Sequence, residues 1–149
     1  MSIEEILKKF RVIAIVGLSR DPSKDSNRVA TYMKHEGFTI IPVNPSTSEI
    51  LGERCYPSLT EMPEELQRRV EIINIFRPSQ QVSPIVDEAI KMRKRWGSPS
   101  VIWTQLGIVD YEAAARAEST GLAVVMDRCI LIEHQRIKRM IDPSKHVRK

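Results

Sequence analysis

Apolar residues along this chain fall into two alternating rhythms. Ile3, Ile6, Leu7 and Phe10 recur at helical spacing, which predicts a short amphipathic helix over 2–10. Val12 to Val16 is then an unbroken apolar run ending at Gly17, the mark of a strand buried on both faces. Helical spacing returns over 26–36, with Val29, Ala30, Tyr32 and Met33 on one side and Gly37 placed to end the helix. Phe38 to Val43 predicts a second strand, closed by Asn44-Pro45, and a short strand is expected near Arg54–Tyr56.

The alternation continues to the end. Glu71 to Phe76 predicts a buried strand. Ser83-Pro84 opens a helix with proline at the first helical position, and Ile85, Val86, Ala89 and Ile90 form its stripe. Ser100 to Thr104 predicts a strand, and Asp110 caps an alanine-rich helix over 111–120 that Gly121 ends. Leu122 to Met126 is the last expected strand. A final helix over 129–141 would turn Ile130, Ile137 and Ile141 inward. Strands alternating with helices imply an α/β, Rossmann-like three-layer sandwich with a doubly wound, mostly parallel sheet and right-handed crossovers. Ligands of such sheets bind beyond the carboxyl ends of the strands. Here those ends are Gly17–Arg20, Pro42–Pro45, Phe76–Pro78, Trp103–Gly107 and Met126–Arg128.

Composition narrows the functional class. At 149 residues the chain is expected to be one domain, long enough to bury a core without staples. Hydrophobic residues at 42% and charged residues at 28% fit a globular chain rather than a disordered one. It has no apolar run long enough to span a membrane and no signal-peptide pattern at its start, so a cytoplasmic location is expected. Cys55 and Cys129 stand far apart, and His35, His134 and His146 are scattered, so no metal site is expected. The net charge of +4 favours anionic partners. Much of it lies in 136–149, read as a solvated helix end and terminus. Without basic and aromatic residues interleaved, nucleic acid is not an expected partner. The catalytic signatures sought, a triad or carboxylates paired on a helix face, are not visible either.

The first strand-to-helix loop carries the first candidate chemistry. Gly17 stands alone there, so the dinucleotide fingerprint of three glycines is missing. A helix beginning near Ser26 still offers free amides and a positive dipole to a phosphate. Ser19 and Ser26 can add hydroxyl donors, and Arg20, Lys24 and Arg28 can add charge. The plainer alternative is a capped loop with solvated cations. A dinucleotide-binding domain places an acid at the end of its second strand to grip a ribose diol. This chain has Val43, Asn44 and Pro45 instead, a segment that suits an apolar adenine slot and does not repel a phosphate on the ribose.

These residues resemble a family. Ala14-Ile15-Val16-Gly17-Leu18-Ser19, Pro42-Val43-Asn44-Pro45, Leu51-Gly52-Glu53, Phe76-Arg77, Trp103-Thr104-Gln105-Leu106-Gly107 and Val125-Met126-Asp127-Arg128-Cys129 look like the single-domain CoA-binding proteins. That family is similar to the N-terminal CoA-binding domain of the succinyl-CoA synthetase α subunit. The resemblance implies coenzyme A, or an acyl-CoA, as the ligand, without a reaction of the chain's own. Carried over by position, Gly17, Leu18, Ser19, Arg20, Lys24, Ser26 and Arg28 would hold the phosphates, and Val43, Asn44 and Pro45 would flank the adenine. Phe76 and Arg77 would line the crevice, with Trp103, Gln105 and Gly107 toward the pantetheine. Trp103 can equally be core, and Asp127-Arg128 an ion pair beside the last helix. Cys55 lies next to the adenosine slot, so it is either a small buried hydrophobe or a partner for the CoA thiol.

Two alternatives remain open. One is an NAD(P)-dependent oxidoreductase, disfavoured by the missing glycines and acid. The other is the CoA-binding subunit of a multi-subunit acyl-CoA ligase. In the synthetases a phosphorylated histidine lies in a following domain, and this chain stops at Lys149 before any such domain. A ligase acting alone is therefore not expected.

Overall fold

The structure is a computed structural model and describes residues 1–141. The basic segment 142–149, with His146, lies outside the described residues. In chain order the elements are α1 (Ile3–Lys9), β1 (Val12–Val16), α2 (Asp25–His35), β2 (Thr39–Val43), β3 (Glu49–Ile50), β4 (Glu53–Arg54) and α3 (Glu64–Gln67). Then follow β5 (Ile72–Ile75), a 3₁₀ turn (Ser79–Gln81), α4 (Val82–Trp96), β6 (Val101–Thr104), α5 (Tyr111–Ser119), β7 (Ala123–Val125) and α6 (Ile130–Ile141).

Five strands form one sheet in the order β2-β1-β5-β6-β7, and every pairing is parallel. Side chains alternate across a strand, so each strand feeds two cores. Ile13, Ile15, Ile72, Val101 and Trp103 face one layer, packed with α1, α2 and α6 through residues such as Leu7, Met33 and Ile137. Ala14, Val16, Ile73, Ile75 and Ile102 face the other, packed with α4 and α5 through Val86, Ala89, Met92 and Ala117. Both faces are covered, which is why the strands read as continuous apolar runs. The architecture is the expected Rossmann-like α/β sandwich.

From β1 the chain first lays β2 on one side, then returns to lay β5 on the other. The two connections diverge, so a crevice opens between the C-terminal ends of β1 and β5, the switch point where such sheets bind ligands. Gly17 lies at this point with φ +89, and a Cβ placed on it would lie 2.9 Å from the Phe76 carbonyl oxygen. Only glycine fits there, because the two strand ends approach backbone to backbone.

Some boundaries and roles differ from the sequence expectation. The fourth helix begins at Val82, so Pro84 is its third residue rather than its first; it still lies in the turn whose N–H groups have no helical partner. The expected strand near 54–56 is a two-residue hairpin, β3 with β4, and Tyr56 then makes a single parallel bridge to Val43. Ile141 is exposed rather than inward. Asp127 and Arg128 do not pair with each other. Asp127 instead accepts the Gly107 N–H at 2.6 Å, and Arg128 reaches Glu133 at 3.6 Å.

Candidate functional site

Three strand ends and one helix start build the site. Helix α2 begins with Lys24 in the N-cap position, and no side chain caps it. A helix start leaves its first amides without helical partners, and its dipole adds partial positive charge. Ser26 accepts the Ser19 N–H at 2.9 Å, and the Asn27 amide donates to the Ser19 carbonyl at 2.9 Å. Both are buried and hold the Gly17–Arg20 loop against the helix start. Arg20 and Lys24 are exposed and make no ion pair among the described residues. Arg28 is drawn back to Asp25 and to the Ser23 carbonyl, so its charge is partly spent within the loop.

Asn44 braces the same loop from the β2 side. Its side-chain amide donates to the Leu18 carbonyl at 2.9 Å, and its oxygen accepts the Ser46 N–H at 2.8 Å. Both polar ends are therefore engaged, and Asn44 shapes the crevice wall. Leu18 itself is buried, leaving its backbone as what it can offer a ligand. Val43, Pro45 and Arg77 come together in the structure. With Val16, Pro57, Pro84 and Ile85 they line a largely apolar cleft of about 330 Å³ between the strand ends and α4. Ser58, Gln81 and Glu88 stand at its polar margin. Sequence reasoning missed Pro57, Gln81 and Ile85, which carry no signal of their own and are assembled by the β5–α4 turn and the hairpin.

Further along the sheet edge, Phe76 is half-buried beside Gly17. Gln105 follows β6, and its backbone N–H bonds the Ile75 carbonyl at 3.2 Å. Its side-chain oxygen, like that of Asn74 on β5, is buried without a hydrogen-bond partner among the described residues. Trp103 does not reach the crevice. Its ring is buried in the α2–α6 layer, and its indole N–H donates to the Arg128 carbonyl at 2.8 Å. Gly107 is exposed at the rim. Cys55 is buried, its thiol directed at the Asn44 carbonyl at 3.4 Å, and burial pushes its pKa up. It is thus held as a neutral thiol beneath the β2 end, unsuited to attack. No group of side chains suited to a metal occurs among the described residues.

These features suit an anionic ligand with an apolar portion. They supply a helix start without a side-chain cap, cations that make no ion pair among the described residues, and an apolar slot beside them.

The chain is similar to known proteins over the same region. A model of the CoA binding domain family matches residues 11–135. A Bacillus subtilis (strain 168) protein, "Uncharacterized protein YneT", is 36% identical over 132 residues, 89% of this chain and 91% of that one. A solved structure of a hypothetical protein from Pyrococcus horikoshii OT3 superposes with a TM-score of 0.82 at 34% identity, covering 91% of this chain and 89% of that one. Acetate–CoA ligase [ADP-forming] I of Archaeoglobus fulgidus is 33% identical over 78 residues, 52% of this chain but only 11% of the ligase. With the family match running through every strand of the sheet, this chain belongs to the CoA binding domain family.

Proposed function

We propose that this chain binds coenzyme A or an acyl-CoA across the C-terminal edge of its sheet and contributes no catalytic group to it. The uncapped start of α2, facing a loop that carries the unpaired Arg20 and Lys24, is the observation that carries this reading. The phosphates meet the α2 amides and these cations. The adenine enters the cleft formed by Val43, Pro45, Pro57 and Pro84. The pantetheine arm crosses the strand ends at Phe76 and Gln105. A nicotinamide dinucleotide is served less well. Its adenosine ribose has no acid at the β2 end, and the side chain that stands there, Asn44, is already spent on Leu18 and Ser46. The similarity to a stretch of an ADP-forming ligase supports a second reading, in which the chain lends its CoA site to a larger ligase assembly.

A thermal-shift series with CoA, NAD and AMP tests the proposal. A ligand at a hundred times its Kd stabilises the folded state by about 2.7 kcal/mol. For a domain of this size that raises Tm by roughly 5–10 °C. CoA should give such a shift and exceed both NAD and AMP. A series in which CoA leaves Tm unchanged while NAD raises it assigns the crevice to a dinucleotide instead.

A further inference from the structure

The two edges of the sheet are finished differently. At the β2 edge, Tyr56 takes the outward backbone groups, donating its N–H to the Pro42 carbonyl at 3.1 Å and accepting the Asn44 N–H at 2.9 Å. At the other edge β7 pairs with β6 alone, and no further strand joins it among the described residues. The Ala123 N–H donates to the Ser100 carbonyl at 3.0 Å, on the β6 side, and successive residues of a strand direct their backbone groups to opposite sides. Val124 therefore directs its N–H and carbonyl away from β6. Edge strands are ordinarily blunted by a charge, a proline or a bulge. Leu122 to Met126 carries no charge and no proline, and the register of β7 with β6 is regular.

The surfaces at the two ends of this open edge complement each other. At the C-terminal end of β7 three apolar side chains stand exposed, Leu106 at 56%, Tyr111 at 75% and Ile132 at 49%. Beside them Arg128 is half-exposed and reaches Glu133 only at 3.6 Å, where Arg136 is closer at 2.7 Å. At the N-terminal end of β7 a hollow of about 410 Å³ is lined by Phe10, Leu122 and Ala123, together with Arg93 and Glu118. Glu118 is exposed and makes no ion pair among the described residues. Helix α6, which carries Ile132, packs in the same layer as Phe10, so the protruding side chain and the hollow lie on the same side of the sheet. One end offers an apolar knob and a cation, the other a hollow and a carboxylate.

We propose that the occupant of this edge is a second copy of this chain, whose β7 pairs antiparallel with the first across a twofold axis at Val124. The two Val124 residues then exchange their outward N–H and carbonyl groups, and the two sheets run on as one. The axis stands perpendicular to the sheet, so each helical layer continues on its own side. It also sets the C-terminal end of each β7 beside the N-terminal end of the other. Ile132 of one copy thereby meets the hollow at Phe10 and Leu122 of the second copy, and Arg128 meets Glu118 of the second copy. An apolar centre with charges at its rim is the ordinary composition of such a contact. The crevice between β1 and β5 lies on the far side of β6 from this edge and stays open in the dimer.

Sedimentation equilibrium of the full chain tests this. The wild type should show twice the chain mass at micromolar concentrations and above. Val124→Pro removes the outward amide without touching the bonds to β6, since proline is tolerated where an edge strand turns its N–H to solvent. Ile132→Glu changes an exposed position in the first turn of α6, where a carboxylate suits the helix dipole. Each should weaken the dimer about thirtyfold or more, the effect of removing a hot spot from an interface. Arg128→Glu and Glu118→Arg should each weaken it too, and the two combined should restore it. Circular dichroism checks that each variant is folded, and if Val124→Pro is not, Ile132→Glu and the charge reversals decide. A wild type that stays monomeric throughout the dilution series overturns the inference. So does a dimer that survives Ile132→Glu, or a combined charge reversal that associates no better than either single one.

Discussion

At its C-terminal end α2 is tied down by neighbours. The Tyr32 hydroxyl bonds His134 of α6 at 2.8 Å, Glu36 pairs with Lys138 at 2.8 Å, and Lys34 reaches Glu53 at 2.9 Å. At its N-terminal end the same helix has no side-chain cap, which is also true of α4, while α1 carries a full capping box on Ser2 and Glu5 and α5 is capped by Asp110. A side-chain cap on α2 would contribute on the order of 1 kcal/mol, and the position where it would stand holds Lys24. Ser26 and Asn27, in the first turn, are turned onto the Ser19 backbone. One end of α2 is tied down by the protein and the other carries no side-chain cap; in the proposed function the ligand's phosphates take that place. Stability is secured at one end of the helix and forgone at the other.

The sharpest way to break this comparison is to close the crevice from below. In Gly17→Ala the new Cβ meets the Phe76 carbonyl oxygen at 2.9 Å at a backbone φ of +89. Strain plus that contact should cost on the order of 2–4 kcal/mol and abolish CoA binding with it. Gly107→Ala is the control. Its φ is +81 but nothing lies within 4 Å of the added carbon. It should cost only about 1–2 kcal/mol and leave binding largely intact. Denaturant melts and titration of both variants check this. Equal losses would mean that left-handed backbone, and not the approach of β1 to β5, is what demands glycine at position 17.

A smaller and more diagnostic change gives the open end of α2 the cap it lacks. Lys24 has extended backbone, φ −84 and ψ 147, which suits an N-cap side chain. Lys24→Asp should therefore stabilise the ligand-free protein by roughly 0.5–1.5 kcal/mol. The same carboxylate occupies the anion site and removes a cation, so affinity for CoA should fall by about tenfold or more. Stability and binding are expected to move in opposite directions in one variant. A higher Tm with unchanged CoA affinity would place the phosphates away from α2.

How much of this was legible beforehand depends on whether a residue's role is local. The strands were legible because both sheet faces are covered, which forces unbroken runs such as Val12–Val16. Gly17 and the basic loop were legible because a glycine after a strand, ahead of a helix, is a local pattern. Trp103 was not, since a tryptophan at a strand end looks the same in sequence whether it faces the crevice or the α6 layer; the bond from its indole to Arg128 decides it. Asn44 was placed correctly at the β2 end, but its bonds to Leu18 and Ser46 give it a bracing role. Helix α3 and the hairpin of β3 with β4 were too short to leave a periodic signal. The cleft walls Pro57 and Ile85 come from segments far apart in sequence, and only the fold unites them.

The smallest effect tests the finished end of α2. Burial lowers the pKa of His134, and it raises that of Tyr32 to about 12. Tyr32 therefore keeps its proton, and its hydroxyl shares a hydrogen bond with Nδ1 of His134, which lies edge-on to Tyr32 and Phe38 at ring separations of 5.5 and 5.4 Å. Protonating the ring places a charge in this half-buried setting, which desolvation opposes. Because the folded-state pKa lies below the unfolded value, the unfolded chain takes up the proton first as pH falls. Stability from this pair is then complete above the ordinary imidazole value of 6.5 and declines below it, levelling off once the folded form also protonates. The groups facing the ring are Glu36, which favours the charged form, and Lys138 and Arg11, which oppose it. Denaturant melts from pH 7.5 down to pH 5 should show this decline, and His134→Gln should remove that component while lowering stability at neutral pH. Since the pair lies at the opposite end of α2 from the open helix start, CoA affinity should follow the same pH profile, set by the ligand's own phosphate monoester, in both proteins. A profile that differed between the wild type and His134→Gln would show that the two ends of α2 are coupled, and the division of labour along the helix would have to be abandoned.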